Sequence, residues 1–135
     1  MKNFKFRVWD KDHKYMEYTD KNLVVCFSDE GVEVTDHTTF SHSCNSMENF
    51  ELMQSTGLKD KNGVEIYEGD IVEFKYPYDK RIKTKGVIVR NDNKACFGIS
   101  MKETTEQYEL YRITAENYLT VIGDVYQNPE LLEDE

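Results

Sequence analysis

Histidine and cysteine side chains come close together in this sequence at His37, His42 and Cys44. These residue types can bind zinc, or can form a thiol nucleophile with its general base. A structural zinc site needs four ligands in paired clusters, and the sequence has no C-x-x-C pair. A cysteine two residues from a histidine seldom makes a productive catalytic pair without a shaped pocket. We therefore expect a polar loop here, with no metal site and no catalytic thiol.

Other motifs that would support catalysis or a cofactor are incomplete or missing. Asp10 and Asp12 begin like a calcium-binding loop but lack its glycine and its distal glutamate. The sequence contains no glycine-rich phosphate loop, no G-x-S-x-G and no H-E-x-x-H. The sequence has so many aspartates and glutamates that no two of them stand out as a catalytic general acid and general base. The sequence thus predicts a protein that is not an enzyme, with no catalytic residues and no cofactor.

The strongest local anomaly is positive charge between residues 75 and 90, where six basic residues accompany one acid in a chain of net charge −9. Tyrosines interleave with the basic residues, as on surfaces that stack bases and neutralise phosphates. Two other interpretations stay open. The lysines could pair with the acidic surface of another subunit, or could keep an edge strand from pairing with another chain. The candidate contact residues for nucleic acid or a partner are Lys75, Tyr76, Tyr78, Lys80, Arg81, Lys83, Lys85 and Arg90.

The acidity of the remaining chain suggests an opposite hypothesis, in which the protein imitates DNA and blocks a host protein. Such mimicry requires carboxylates spaced like phosphates along one face, whereas the acidic residues here are scattered. Acidic surfaces usually serve solubility. The negative net charge also weighs against tight nonspecific DNA binding, because long-range repulsion lowers the association rate. Nucleic-acid binding is therefore an alternative that the sequence does not favour, and mimicry is weaker still.

Alternating apolar and polar residues predict β structure in the first third of the chain. Phe4, Phe6 and Val8 fall on one face of an extended segment, with Lys5, Arg7 and Trp9 on the other. Further strands are predicted at residues 15–18, 23–27 and 32–34, joined by polar turns. The stretch from residue 36 to 49 is rich in Ser, Thr, His and Asn and is predicted to be a long loop.

The second half reads as a small barrel, SH3-like or OB-like, over about residues 57–126. Asn62-Gly63 predicts a type I′ hairpin turn, and Glu68-Gly69-Asp70 a second turn in which Asp70 can bind backbone amides. A short C-terminal helix is predicted from Asn128-Pro129. Strands are expected at residues 71–76, 86–90, 94–101, 107–112 and 118–122.

Size and composition favour a mainly β protein, because tyrosine and phenylalanine supply apolar area that a helical protein takes from leucine and alanine. We expect two parts, an N-terminal β-hairpin subdomain over residues 1–50 and the barrel over residues 51–135.

The longest apolar run, residues 23–27, is too short to span a bilayer. Three widely spaced cysteines do not indicate a disulfide framework. The N-terminus lacks the apolar core of a signal peptide. These features predict a cytoplasmic protein without membrane contact.

Three segments resemble the YopX family of phage and prophage proteins: Leu52 to Val72, Phe4 to Lys11 and Val121 to Leu132. Residues 20–48 and 75–90 match weakly. The resemblance implies an intracellular phage-encoded accessory protein that can self-associate, and it carries over no functional residue. We therefore expect a noncatalytic protein in the bacterial host that acts through protein contacts. Its expected partners are its own subunits, as a homo-oligomer, and an unknown host or phage protein.

Overall fold

The computed structural model describes residues 5–21, 23–36, 45–46, 49–75, 83–91, 94–101 and 107–133. Strands dominate, with one short α-helix and one turn of 3-10 helix. The elements in chain order are β1 (Phe6–Asp10), β2 (Tyr15–Tyr18), β3 (Leu23–Ser28), β4 (Gly31–Asp36), β5 (Asn45–Ser46), β6 (Phe50–Lys59), β7 (Glu65–Tyr67), β8 (Asp70–Lys75), β9 (Lys83–Asn91), β10 (Cys96–Met101), β11 (Gln107–Glu109), α1 (Arg112–Tyr118), β12 (Leu119–Asp124) and the 3-10 helix (Pro129–Leu132).

The chain divides into two compact units, residues 1–54 and 55–135. The sequence predicts a boundary at residue 50, which is the first residue of β6. This strand contributes residues 50–54 to the first unit and residues 55–59 to the second. Each unit has its own buried apolar cluster.

In the first unit, β1 is the central strand between β2 and the first half of β6, and both pairings are antiparallel. Val8 is fully buried and packs with Leu23 and Val34. Alternation predicted two faces for this strand, and the structure buries both of them. Arg7 is 3% exposed and Trp9 is 9% exposed.

The first unit also contains the antiparallel order β3-β4-β5. The β3–β4 hairpin pairs Leu23 with Asp36 at its open end and Ser28 with Gly31 at its turn. Leu23, Val25 and Phe27 share one face because successive side chains alternate along a strand. The inner part of this face joins the Val8 cluster, while Phe27 is 57% exposed.

In the second unit, five antiparallel strands in the order β11-β10-β9-β8-β12 form a curled, half-barrel sheet. Its core contains Ile66, Val72, Ile88, Ala115 and Leu119, each at most 1% exposed. The predicted mainly β fold and the short C-terminal helical turn are confirmed.

Two local predictions in this unit are wrong. The strand expected over residues 107–112 stops at Glu109, and α1 begins at Arg112. The Asn62-Gly63 hairpin exists, but its turn is not type I′ because Asn62 lacks the positive φ angle that this turn needs. Instead, Gly63 alone has positive φ, +83°, and its N–H donates to the Asp60 carbonyl at 3.0 Å. This geometry is that of a three-residue loop ending in a glycine bulge.

Candidate functional site

The described part of the basic segment lies on the β8–β9 hairpin. The register pairs Lys75 with Lys83, and Glu73 with Lys85. Residues paired across antiparallel strands share a face, so these four positions lie on one side of the sheet. Two like charges directly opposite one another destabilise a strand pair unless another group compensates them. The register therefore places two basic residues, Lys75 and Lys83, opposite one another at the described end of this hairpin.

Two other candidate residues make contacts within the second unit. The Lys85 ammonium donates to the Leu131 carbonyl at 3.1 Å, which satisfies an acceptor in the C-terminal 3-10 helix. The Arg90 guanidinium lies over the Phe97 ring, 5.7 Å from its centroid, in cation–π geometry. Lys85 therefore stabilises the C-terminal 3-10 helix in addition to carrying charge. Arg90 is exposed to solvent. Tyr76, Tyr78, Lys80 and Arg81 lie outside the described residues.

Four aspartates are among the buried polar residues of the described chain, and they are the natural candidates for acid–base chemistry. Asp10 is 4% exposed and follows β1. Its Oδ1 accepts the N–H groups of Asp12 at 2.9 Å and His13 at 3.1 Å, while its Oδ2 lies 3.0 Å from His13 Nδ1. Burial alone would raise the Asp10 pKa, but hydrogen bonds from His13 and Asp12 together hold that pKa below its ordinary value.

Asp60 joins the β6–β7 turn to β12. Its Oδ1 accepts the N–H groups of Asn62 at 2.8 Å and Val64 at 2.9 Å, and its Oδ2 accepts that of Val121 at 2.9 Å. The next residue, Lys61, donates its N–H to the Leu119 carbonyl at 3.0 Å. One carboxylate therefore shapes a turn and fixes it against the outer edge of β12.

Asp70 and Asp124 lie opposite one another on β8 and β12. Asp70 Oδ2 accepts the N–H of Tyr67 at 2.7 Å, which confirms the predicted role of Asp70 in its turn. Asp124 Oδ1 accepts the N–H groups of Tyr126 and Gln127, both at 2.9 Å. Asp124 Oδ2 accepts the Gln127 side-chain amide at 2.7 Å.

The four aspartates share one chemical role, because each accepts at least one backbone N–H group in a turn. Carboxylate oxygens engaged in this way hold backbone conformation and are poorly placed to take a proton from a substrate. Within the described ranges, no group of three or more histidine, cysteine or acidic residues is arranged to hold a metal ion. His37, His42 and Cys44 lie outside those ranges.

A polar cluster that sequence reasoning missed lies at the β11 edge. Glu109 accepts the Tyr111 hydroxyl, and Lys94 Nζ lies 3.3 Å from Glu109 Oε1. The Tyr111 hydrogen bond, followed by Lys94, lowers the pKa of Glu109, and Glu109 in turn raises the pKa of Tyr111. Lys94 and Glu109 are far apart in sequence, and the pairing of β10 with β11 brings them together. Local sequence patterns therefore could not predict this contact.

Next to that cluster, three large apolar side chains are exposed within six consecutive residues. Tyr108 is 51% exposed, Tyr111 59% and Ile113 73%. We call these three residues the junction patch, since they lie where β11 leads into α1. The only buried side chain of α1 is Ala115. Sequence reasoning assigned residues 107–112 to a strand and therefore did not predict an exposed apolar first turn.

No helix among the described residues is long and apolar enough to cross a membrane.

Comparison with known proteins gives a family match over nearly the whole chain. A family model described as "YopX protein" matches residues 5–133. Two solved structures are similar to this chain, each at 26% sequence identity over 97% of it. Protein EF1440 from Enterococcus faecalis aligns over 99% of its own chain with a TM-score of 0.69. Protein yopX from Bacillus subtilis aligns over 97% of its own chain with a TM-score of 0.67. The comparison with curated proteins gave no match.

Proposed function

Because this chain belongs to the YopX family, as its match over residues 5–133 shows, we propose that it is a noncatalytic phage or prophage accessory protein. In this proposal it works in the cytoplasm of the bacterial host through protein–protein contacts, including contacts between its own subunits.

The observation that carries the proposal is the junction patch. Ile113 is 73% exposed in the first turn of α1, with Tyr108 and Tyr111 beside it in sequence. Three large exposed apolar side chains within six residues of sequence are typical of an interaction surface, and tyrosine is enriched in protein interfaces because it contributes area at low entropic cost. The buried aspartates support the noncatalytic part, since backbone amides occupy their oxygens.

The experiment is a pull-down from host cells with tagged wild-type protein and two matched variants. Ile113→Lys places a charge in the junction patch, and Val64→Lys makes the same change at a 48% exposed turn residue outside it. We expect Ile113→Lys to lose specific protein partners and Val64→Lys to retain them. Retention of every partner by both variants, or recovery of nuclease-sensitive nucleic acid instead of protein, would contradict the proposal.

The second candidate function is nucleic-acid binding through the basic, tyrosine-bearing hairpin at residues 75–90. The register that places the basic residues Lys75 and Lys83 opposite one another favours it, because paired basic positions on a hairpin suit a phosphate backbone. Fluorescence anisotropy with a single-stranded oligonucleotide over a range of salt concentrations tests this function. The double change Lys75→Glu and Lys83→Glu should abolish salt-dependent binding, whereas Lys61→Glu, at an exposed turn, should leave it intact. Lys85 is left unchanged because its ammonium bonds to Leu131.

A further inference from the structure

α1 exposes one continuous face. Four of its residues are exposed to solvent and lie on the same side of the helix: Arg112, Ile113, Glu116 and Asn117. Positions three and four apart are neighbours on a helix surface, so these four side chains adjoin one another, and we call them the α1 face. Ile113 supplies the apolar part of this face, and at 73% it is the most exposed large apolar residue of the described chain. Ala115 points the other way, into the core of the second unit.

The two charges of the α1 face are placed against the preference of a helix. Arg112 is the first residue of α1 and Glu116 lies one turn later, with side chains 65% and 49% exposed. Arg112 Nη1 is 3.4 Å from Glu116 Oε1. A cation is unfavourable at a helix N-terminus, and an ion pair with the cation first contributes less than the reverse order. Stabilisation of α1 itself therefore does not account for these two charges.

A second helix that runs in the opposite direction removes this conflict. Beside an antiparallel copy of α1, Arg112 lies near the C-terminal end of the second helix, where a cation is favourable. Glu116 lies near the N-terminal half of that helix, where an anion is favourable. The order of charges along the face is thus complementary to itself when it is reversed. The face is also neutral in a chain of net charge −9, so two copies can meet here without an excess of negative charge between them.

We propose that the α1 face pairs antiparallel with the α1 face of a second copy of this chain and forms a two-fold symmetric dimer. The proposal names the surface for the self-association that is part of the proposed function, and in that respect rests on it. With the axis midway along the face, Arg112 of each copy is level with Glu116 of the other, and Ile113 with Asn117. Both copies use the same surface and each pair occurs twice, so the assembly closes as a dimer.

The other side chains of the α1 face suit burial between two helices. The two Ile113 side chains lie on the same side of the contact, one before and one after the axis, and their packing removes this apolar group from water. Asn117 already donates its side-chain amide to the Ile113 carbonyl of its own helix at 2.7 Å, so this donor is satisfied before the face is covered. Tyr111, the N-cap of α1, extends the surface toward the C-terminal end of the second helix.

The size of this contact predicts a weak dimer. Stable interfaces bury about 800 Å² on each partner, and one face of a short helix with an adjoining tyrosine supplies less. We therefore expect a dissociation constant of about 10–500 μM.

Charge reversal followed by mixing tests the antiparallel pairing. Arg112→Glu alone and Glu116→Arg alone should each weaken the dimer about tenfold in sedimentation velocity, because each replaces two attractive pairs with two repulsive ones. An equimolar mixture of the two variants should restore association to within about threefold of wild type, because both pairs of the mixed dimer are attractive again. The pair within each helix stays repulsive in both variants, so recovery on mixing cannot come from the helix itself. Native mass spectrometry separates the mixed dimer from the unmixed ones by mass.

Two further variants control for net charge. Lys61→Glu and Glu30→Arg make the same charge changes at exposed turn residues and should dimerise like wild type. Ile113→Lys should abolish the dimer, because it brings two ammonium groups together near the axis. Circular dichroism confirms that every variant is folded.

A mixture that associates no better than its separate variants would overturn the antiparallel pairing. A wild-type protein that stays monomeric at millimolar concentration would overturn the dimer. The rest of the proposed function is decided separately, because the pull-down scores other host proteins and not second copies of this chain.

Discussion

Replacing Asp60 with alanine is the most direct perturbation of the second unit. Asp60 is only 3% exposed, and its carboxylate accepts three backbone N–H groups. Two of them belong to the adjacent β6–β7 turn, and the third belongs to Val121 in β12, which is distant in sequence. Its removal leaves the Val121 N–H without this acceptor and also releases the conformation of the β6–β7 turn. We therefore expect the variant to be destabilised, with the largest local effect on the contact between this turn and β12.

The expected cost follows from the number and exposure of these hydrogen bonds. A hydrogen bond to a charged group contributes about 1.5–3 kcal/mol. Asn62 and Val64 are exposed, so water can replace part of their bonds, whereas Val121 is half-buried. Counting the Val121 bond fully and the other two at a reduced value gives about 3–4 kcal/mol for Asp60→Ala. Asp60→Asn keeps one oxygen as an acceptor, but its NH2 group must face a backbone N–H that the second oxygen accepted. We expect this variant to lose about 2 kcal/mol of unfolding free energy.

Urea unfolding followed by circular dichroism measures these differences, and amide hydrogen exchange locates them. The Val121 amide should lose protection in Asp60→Ala. The control is Asp12→Asn, at an exposed turn residue that accepts the Asn49 side-chain amide at 3.3 Å. It should change the unfolding free energy by less than about 0.5 kcal/mol. An Asp60→Ala protein whose unfolding free energy lies within about 1 kcal/mol of wild type, or one in which Val121 protection is unchanged, would refute the role assigned to Asp60.

Three further predictions concern pH and packing. Because the folded pKa of Asp10 lies below its ordinary value of 3.8, its stabilising contribution is present above about pH 4 and is lost as pH falls through the folded pKa. Urea unfolding between pH 2 and 6 should therefore show a weaker acid dependence for Asp10→Asn. Glu109→Gln should lower the pKa of Tyr111 toward its ordinary value of 10.0, measured by NMR of ring-labelled tyrosine. Gly98→Ala should destabilise the protein by about 1–3 kcal/mol in thermal or urea unfolding, because a Cβ there would lie 2.9 Å from the Tyr108 carbonyl oxygen.

Alternation and turn residues predicted most strands because both signals are local. The hairpin at Asn62-Gly63 was located correctly, and the glycine there has the positive φ angle that such a turn requires. The turn type was wrong because a residue outside the dipeptide decides it. Asp60 accepts the N–H groups of Asn62 and Val64, and these bonds favour the three-residue loop over type I′. The Asp60 side chain, five residues before β7 begins at Glu65, thus outweighs the preference of the Asn62-Gly63 dipeptide.

α1 could not be predicted because its stabilisation is tertiary. Tyr111 at its N-cap makes no side-chain capping bond, and the first turn has no acidic residue. Ile113 and Thr114 are β-branched, which lowers helix propensity. What favours the helix is the burial of Ala115 beside Leu119 in the core of the second unit. Local preference for a strand was therefore overridden by packing that only the folded chain provides.

The exposed apolar positions were missed for a related reason, and this reason bears on function. Alternation assigns Phe27 to the same face as Leu23 and Val25, so the sequence pattern alone treats all three as core. Burial, however, depends on what covers that face: Leu23 is 3% exposed and Phe27 57%. Among the strands that the structure describes, the strand order, which alternation does not encode, leaves β3 at an edge. An apolar pattern that continues beyond the covered core is therefore a signal for contact with another molecule, and it becomes visible only when strand order and burial are considered together.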